Sequence, residues 1–60
     1  MQDSVSFVIP VLNEQATAAD LLRDLRHRYP FSHLIVVDGG SGDRTVALAL
    51  PLCDLVLLSA

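Results

Sequence analysis

Two polar clusters carry this chain's capacity for chemistry. Val11-Leu12-Asn13-Glu14 follows the apolar run from Ser6 to Pro10, and Asp38-Gly39-Gly40-Ser41-Gly42-Asp43 follows the run from Leu34 to Val37. A carboxylate such as that of Glu14 accepts hydrogen bonds from both hydroxyls of a sugar diol. Pro10 fixes the chain as it leaves its strand, so that backbone groups of Val11 and Leu12 can lie along a flat base. Asp38 stands at the second strand end, where the glycines after it permit positive φ angles and a close approach of backbone to ligand. In an open parallel sheet, ligands bind beyond the carboxyl ends of the strands. Two neighbouring strands that both finish in acids, amides and glycines therefore outline a nucleotide-sized crevice. Each acid also has a purely local use: Glu14 suits the first turn of a helix through the helix dipole, and Asp38 suits an Asx turn. Asp43 and Arg44 read as helix-start residues.

The elements that must position these clusters read strand, helix, strand, helix, strand. Val5, Phe7, Val8 and Ile9 are β-branched or aromatic and continuous, as in a strand buried on both faces, and Pro10 is expected to end it by removing a ladder donor. The first helix is expected to start within residues 13–17, capped by Asn13 or Thr17, with Ala18, Leu21, Leu22, Leu25 and Tyr29 forming one apolar stripe. Asp20, Arg23, Asp24, Arg26 and Arg28 fall on the other face as a solvated surface with weak ion pairs at three- and four-residue spacings. Pro30 stops this helix. A second strand over residues 34–37 ends in the glycine-rich turn, and Ser41 or Asp43 caps a short helix through Val46 and Leu50 that Pro51 closes. A third strand spans residues 55–58. The fold class is α/β, a βαβαβ Rossmann-like unit of the three-layer type with a short parallel sheet. Right-handed crossovers place both helices on one face of that sheet and leave the other apolar and uncovered.

Composition excludes several classes. Four arginines against seven acids, a formal net charge of −3, give no basic surface for nucleic acid. The amino-terminal run is too short, and interrupted by Pro10, to be a signal peptide or membrane span, so a cytoplasmic location is the default expectation. One cysteine makes no internal disulfide, and Cys53 reads as a small buried hydrophobe. His27 and His33 lack further ligands at zinc-site spacing. A chain of 60 residues buries only about 60% of its unfolded surface. Its apolar content of 52% suits a sheet covered on both sides, and oligomerisation through an exposed sheet edge or face is the remaining source of cover.

The pair Val-Ile-Pro-Val-Leu-Asn-Glu at 8–14 and Val-Val-Asp-Gly-Gly-Ser-Gly-Asp-Arg-Thr at 36–45 resembles the start of family 2 glycosyltransferases, which carry the GT-A fold. The blocks come in the family's order and at its spacing. The resemblance covers nearly the whole chain but only the beginning of the family's domain, so residues 1–60 are expected to be an incomplete, amino-terminal piece. It implies a nucleotide-diphosphate sugar as donor, with Pro10, Val11, Leu12, Glu14, Asp38 and Gly39 at the nucleotide, and transfer of the sugar to an acceptor hydroxyl. Family members often carry an aromatic at the place of Leu12 and a second acid at the place of Gly39. The base contact here is therefore left to Asp38 or to the Gly39 N–H. The resemblance also implies a divalent cation, Mg or Mn, whose Asp-x-Asp ligands and whose catalytic base lie outside this chain. No catalytic or metal residue is assigned within it, and no turnover is expected of the piece alone.

Other phosphate-binding designs fit less well. Gly39-Gly40-Ser41-Gly42 opens a helix, but the G-x-G-x-x-G spacing is not met and no G-K-[ST] follows. A nucleotidyltransferase of the same fold would put its glycine-rich loop after the first strand, where Pro10 to Glu14 stands instead. The remaining alternative is a self-associating structural fragment, or a non-catalytic nucleotide-binding module. An Asp-x-Asp shortly beyond Ala60 would support the family reading over both.

Overall fold

The computed structural model describes residues 5–59. They form β1 (Ser6–Val11), α1 (Ala18–Arg28), β2 (His33–Asp38), α2 (Thr45–Ala49), a single 3-10 turn (Leu50–Leu52) and β3 (Leu55–Leu58). The strands are parallel in the order β1-β2-β3. Register places Val11 beside Asp38 and Asp38 beside Leu58, so the carboxyl ends of all three strands are level.

Alternation along the strands divides the side chains between two faces. Ile9, Val11, Leu34 and Val36 point inward, where Leu22 of α1 and Ala49 of α2 complete the core. Leu34, Val36 and Ala49 are wholly inaccessible to solvent. Both helices thus cover one face, and two of the three layers of the expected architecture come from these residues. Val8 on the opposite face is 64% exposed, and Leu55 and Leu57, on the same face two strands away, are about half exposed.

Local boundaries differ from the expectation where tertiary bonds override local signals. Pro10 does not end β1, which continues to Val11. The Val5 carbonyl accepts from His33 and the Val11 carbonyl from Gly39, so the odd-numbered residues of β1 bond to β2. The even-numbered Pro10 therefore turns its missing donor toward the open edge, where proline is tolerated. β2 is one residue longer at each end than its apolar run.

Helix α1 begins at Ala18 with Thr17 at its cap position, but no side chain caps it. Asn13 is not a cap; its φ is +50° and its side chain is used elsewhere. The buried stripe is narrow, Ala18 and Leu22 with Leu25 partly covered. Leu21 stays exposed, and Tyr29 packs instead against Phe7, ring centroids 5.0 Å apart. Leu50 belongs to the 3-10 turn rather than to α2, with Pro51 in the first turn where its missing N–H is harmless.

Arg23–Asp20 and Arg28–Asp24 form the expected pairs, at 3.4 and 3.2 Å. Arg26 departs from the solvated face. Its guanidinium donates to the Ser32 carbonyl at 2.7 Å and to Asp54 at 2.8 Å, tying the end of α1 to the start of β3. Cys53 is half buried against the core, and burial pushes its thiol pKa up.

Candidate functional site

Among the described residues, two clefts are of similar size. The larger, about 530 Å³, lies at the amino-terminal end of the sheet between α1 and the 3-10 turn, where the Arg26–Asp54 ion pair occupies much of its polar lining. The smaller, about 500 Å³, lies at the carboxyl ends of β1 and β2 and is lined by Pro10, Val11, Leu12, Glu14, Val37, Gly39 and Ser59. The second is the candidate site, because strand carboxyl ends are where loops of an open α/β sheet converge on a ligand. Five of the six residues expected at the nucleotide line it. Leu12 is 53% exposed and forms an apolar wall.

Asp38, the sixth, lies behind the cleft rather than in it. The residue is 4% exposed. Its Oδ2 accepts the backbone N–H groups of Gly40 and Ser41, at 3.0 and 2.9 Å, and its Oδ1 accepts the Ser41 hydroxyl. These donors, the Ser41 hydroxyl first, hold the carboxyl below its ordinary pKa against the opposing effect of burial. The Gly39 N–H donates to the Val11 carbonyl at 3.0 Å. Both groups left open for the base contact are thus already engaged within the chain. Only Gly40 of the turn has a positive φ, +100°.

The two loops are stitched to each other by side chains that local signals offered only as helix caps, as for Asn13, Ser41 and Asp43, or did not single out, as for Gln15 and Thr45. Three consecutive N–H groups of the first loop donate to the second: Asn13 to Ser41 Oγ at 2.9 Å, Glu14 to Thr45 Oγ1 at 2.8 Å and Gln15 to Asp43 Oδ2 at 3.3 Å. Bonds return from the Gly42 N–H to Asn13 Oδ1 at 2.8 Å and from the Arg44 N–H to Gln15 Oε1 at 2.9 Å. Asn13 reaches its partners through its left-handed backbone, a conformation that asparagine tolerates better than most residues. Thr45 is fully buried, and its hydroxyl donates to Asp43 Oδ1, which also accepts the Thr45 N–H at 2.9 Å. The Thr45 hydroxyl is the first cause of a lowered Asp43 pKa. The cap position of α2 is Arg44, with no side-chain cap bond, rather than Ser41 or Asp43; Asp43 stands just before it, bonded to Thr45 and to the first loop.

The described residues do not fit a divalent cation. None of their His, Cys, Asp and Glu side chains gather in threes where an ion could sit. Asp38 and Asp43 spend their oxygens on N–H and O–H donors.

A short parallel sheet with helices on one face and a cleft over its carboxyl edge defines a Rossmann-like α/β unit. The model of glycosyl transferase family 2 matches residues 6–58, so the chain belongs to that family and its fold is the start of a GT-A domain. The family implies a nucleotide-sugar-binding region, and its members generally use a divalent cation. Comparison with curated proteins and with solved structures gives no match. No described helix is long and apolar enough to cross a membrane.

Proposed function

We propose that this chain is the donor-binding, amino-terminal part of a glycosyltransferase that moves a sugar from a nucleotide diphosphate to an acceptor hydroxyl. The observation that carries the reading is the cleft over the carboxyl ends of β1 and β2, lined by Pro10, Val11, Leu12, Glu14 and Gly39. Leu12 and the backbone beside it form a wall for the base, and the Glu14 carboxylate takes the ribose diol. Asp38 acts from behind, holding the turn that carries Gly39. In the reaction, an acceptor hydroxyl attacks the anomeric carbon, the bond from that carbon to the diphosphate oxygen breaks, and the nucleoside diphosphate leaves. The hydroxyl proton passes to a base outside these 60 residues, so the chain alone is an incomplete domain without turnover.

The test is a titration of UDP, GDP and their sugar conjugates into the chain, with and without Mn²⁺, followed through amide chemical shifts. Shifts concentrated at Leu12, Glu14 and Gly39 are expected. A folded sample with no shifts overturns the proposal.

A second reading rests on the open sheet face. Val8, Leu55 and Leu57 leave it apolar and solvent-facing, which favours self-association of the chain through that face or the β1 edge. Analytical ultracentrifugation is expected to show mass rising with concentration, and a monomer at every concentration refutes it.

A further inference from the structure

Glu14 is exposed and its carboxylate has no partner among the described residues, yet the backbone that carries it is bonded at three successive N–H groups to side chains some thirty residues away. Two of those three acceptors are hydroxyls, and both are built alike. Ser41 Oγ donates to Asp38 and receives the Asn13 N–H; Thr45 Oγ1 donates to Asp43 and receives the Glu14 N–H. A hydroxyl whose proton is committed to a carboxylate presents its lone pairs in a fixed direction, and the charge behind it strengthens it as an acceptor. The loop is therefore set by acceptors whose own orientation is set by an aspartate.

Thr45 is the more informative of the two. It is fully buried, so no ligand in the cleft can touch it, and its hydroxyl meets the amide of Glu14, a residue that lines the cleft. We propose that Thr45 is a positioning residue for the donor: its hydroxyl, aimed by Asp43, sets where the Glu14 carboxylate meets the ribose diol, with Ser41 and Asp38 doing the same for Asn13. This rests on the donor-binding reading above. The Asp-Gly-Gly-Ser-Gly-Asp-Arg-Thr block then serves the nucleotide chiefly by holding the other block in place.

Thr45→Val keeps the branched shape and removes the hydroxyl, leaving the Glu14 N–H without its acceptor. Thr45→Ser keeps the hydroxyl and loses only a methyl group. Each protein is titrated with UDP and GDP and with their 2′,3′-dideoxy counterparts, which lack the diol. The wild type is expected to prefer the ribonucleotide by roughly tenfold, the order of one charge-assisted hydrogen bond. Thr45→Val is expected to bring that preference close to unity while affinity for the dideoxy nucleotide holds, and Thr45→Ser to restore it. Thr45→Val that keeps the preference, or loses affinity for both nucleotides alike, overturns the positioning role.

Should Thr45→Val not fold, Ser41→Ala, at a half-buried position, is expected to lower the same preference, and an unchanged preference there overturns the proposal. A wild type that binds nucleotide with no regard for the diol overturns the role given to Glu14, and this inference with it. A wild type that binds no nucleotide overturns the donor-binding reading itself. Amide hydrogen exchange then decides on the clamp: faster exchange at Glu14 in Thr45→Val, reversed in Thr45→Ser, is expected, and unchanged exchange overturns it.

Discussion

Asp54 and Leu34 bind each other twice at the amino-terminal end of the sheet. The Asp54 N–H donates to the Leu34 carbonyl at 2.8 Å, and the Leu34 N–H donates to Asp54 Oδ2 at 2.7 Å. That same oxygen receives the Arg26 guanidinium, and the Leu34 N–H and then Arg26 lower the Asp54 pKa. The carboxylate thus does a backbone's work for a residue wholly shielded from solvent.

The two partners of Asp54 are separable by mutation. Asp54→Ala leaves the Leu34 amide with no acceptor in a dry place, whereas Asp54→Asn retains a carbonyl oxygen and loses only the charge toward Arg26. Arg26→Met removes an ion pair that is partly open to water and salt-screened. Urea midpoints are expected to fall in the order wild type, Arg26→Met, Asp54→Asn, Asp54→Ala. A Met variant less stable than the Ala variant contradicts it.

Stability is expected to fall in acid. Asp38, Asp43 and Asp54 all have pKa values below the ordinary aspartate value. As pH drops through about 4, the unfolded chain takes up protons before the folded one, and stability declines with it. The contribution is fully present above that range and disappears as the folded-state pKa values are passed. Urea midpoints measured against pH check this, with a flat profile above about pH 5 and a decline below it. Asp43→Asn is expected to make the decline shallower.

Much of this fold was legible because its signals are local. The runs at residues 6–10, 34–37 and 55–58 lie in strands of the structure, since a short, mostly apolar stretch bounded by turn residues has little use outside a covered sheet. Pro30 and Pro51 mark helix ends for reasons confined to one turn. Pro10 misled, because whether a missing donor matters depends on which neighbour the strand lacks. Arg26 misled in the same way: helical spacing places it on a polar face but says nothing of a carboxylate 28 positions away. Within the cleft, Leu12, Glu14 and Gly39 were found from strand ends and residue type. The loop-to-loop bonds of Asn13, Gln15, Ser41 and Thr45, residues outside its lining, were not, since they cross 28 to 31 positions of chain. Ser59 and Val37 enter the lining only through the sheet register.

The glycines of the second loop should respond differently to substitution. Gly40 has a φ of +100°, so Gly40→Ala is strained even though the space around it is open, and a loss of about 1 kcal/mol or more is expected. Gly42 has open space and no left-handed backbone; Gly42→Ala is expected to be neutral or stabilising by up to roughly 1 kcal/mol. Thermal unfolding of the two variants checks the contrast.

Gly39 has room for the acid that the resemblance places there. A Cβ would lie 3.6 Å from the Val11 carbonyl and 3.9 Å from Leu12 Cδ1, both ordinary contacts. Gly39→Asp is therefore expected to fold with stability changed by less than about 0.5 kcal/mol, as for surface substitutions generally, and to bind its preferred nucleoside diphosphate several-fold more tightly. Calorimetric titration of both proteins checks it, and weaker binding by Gly39→Asp refutes it.

The proline in β1 also governs growth of the sheet. A strand adding to the free side of β1 meets donors at Ser6 and Val8 but finds none at Pro10, the position next to the cleft mouth. Lateral pairing can thus be regular only along the half of the edge remote from the ligand. A newcomer must splay away as it nears the carboxyl end, so the ladder can lengthen sideways without sealing the opening through which a nucleotide enters.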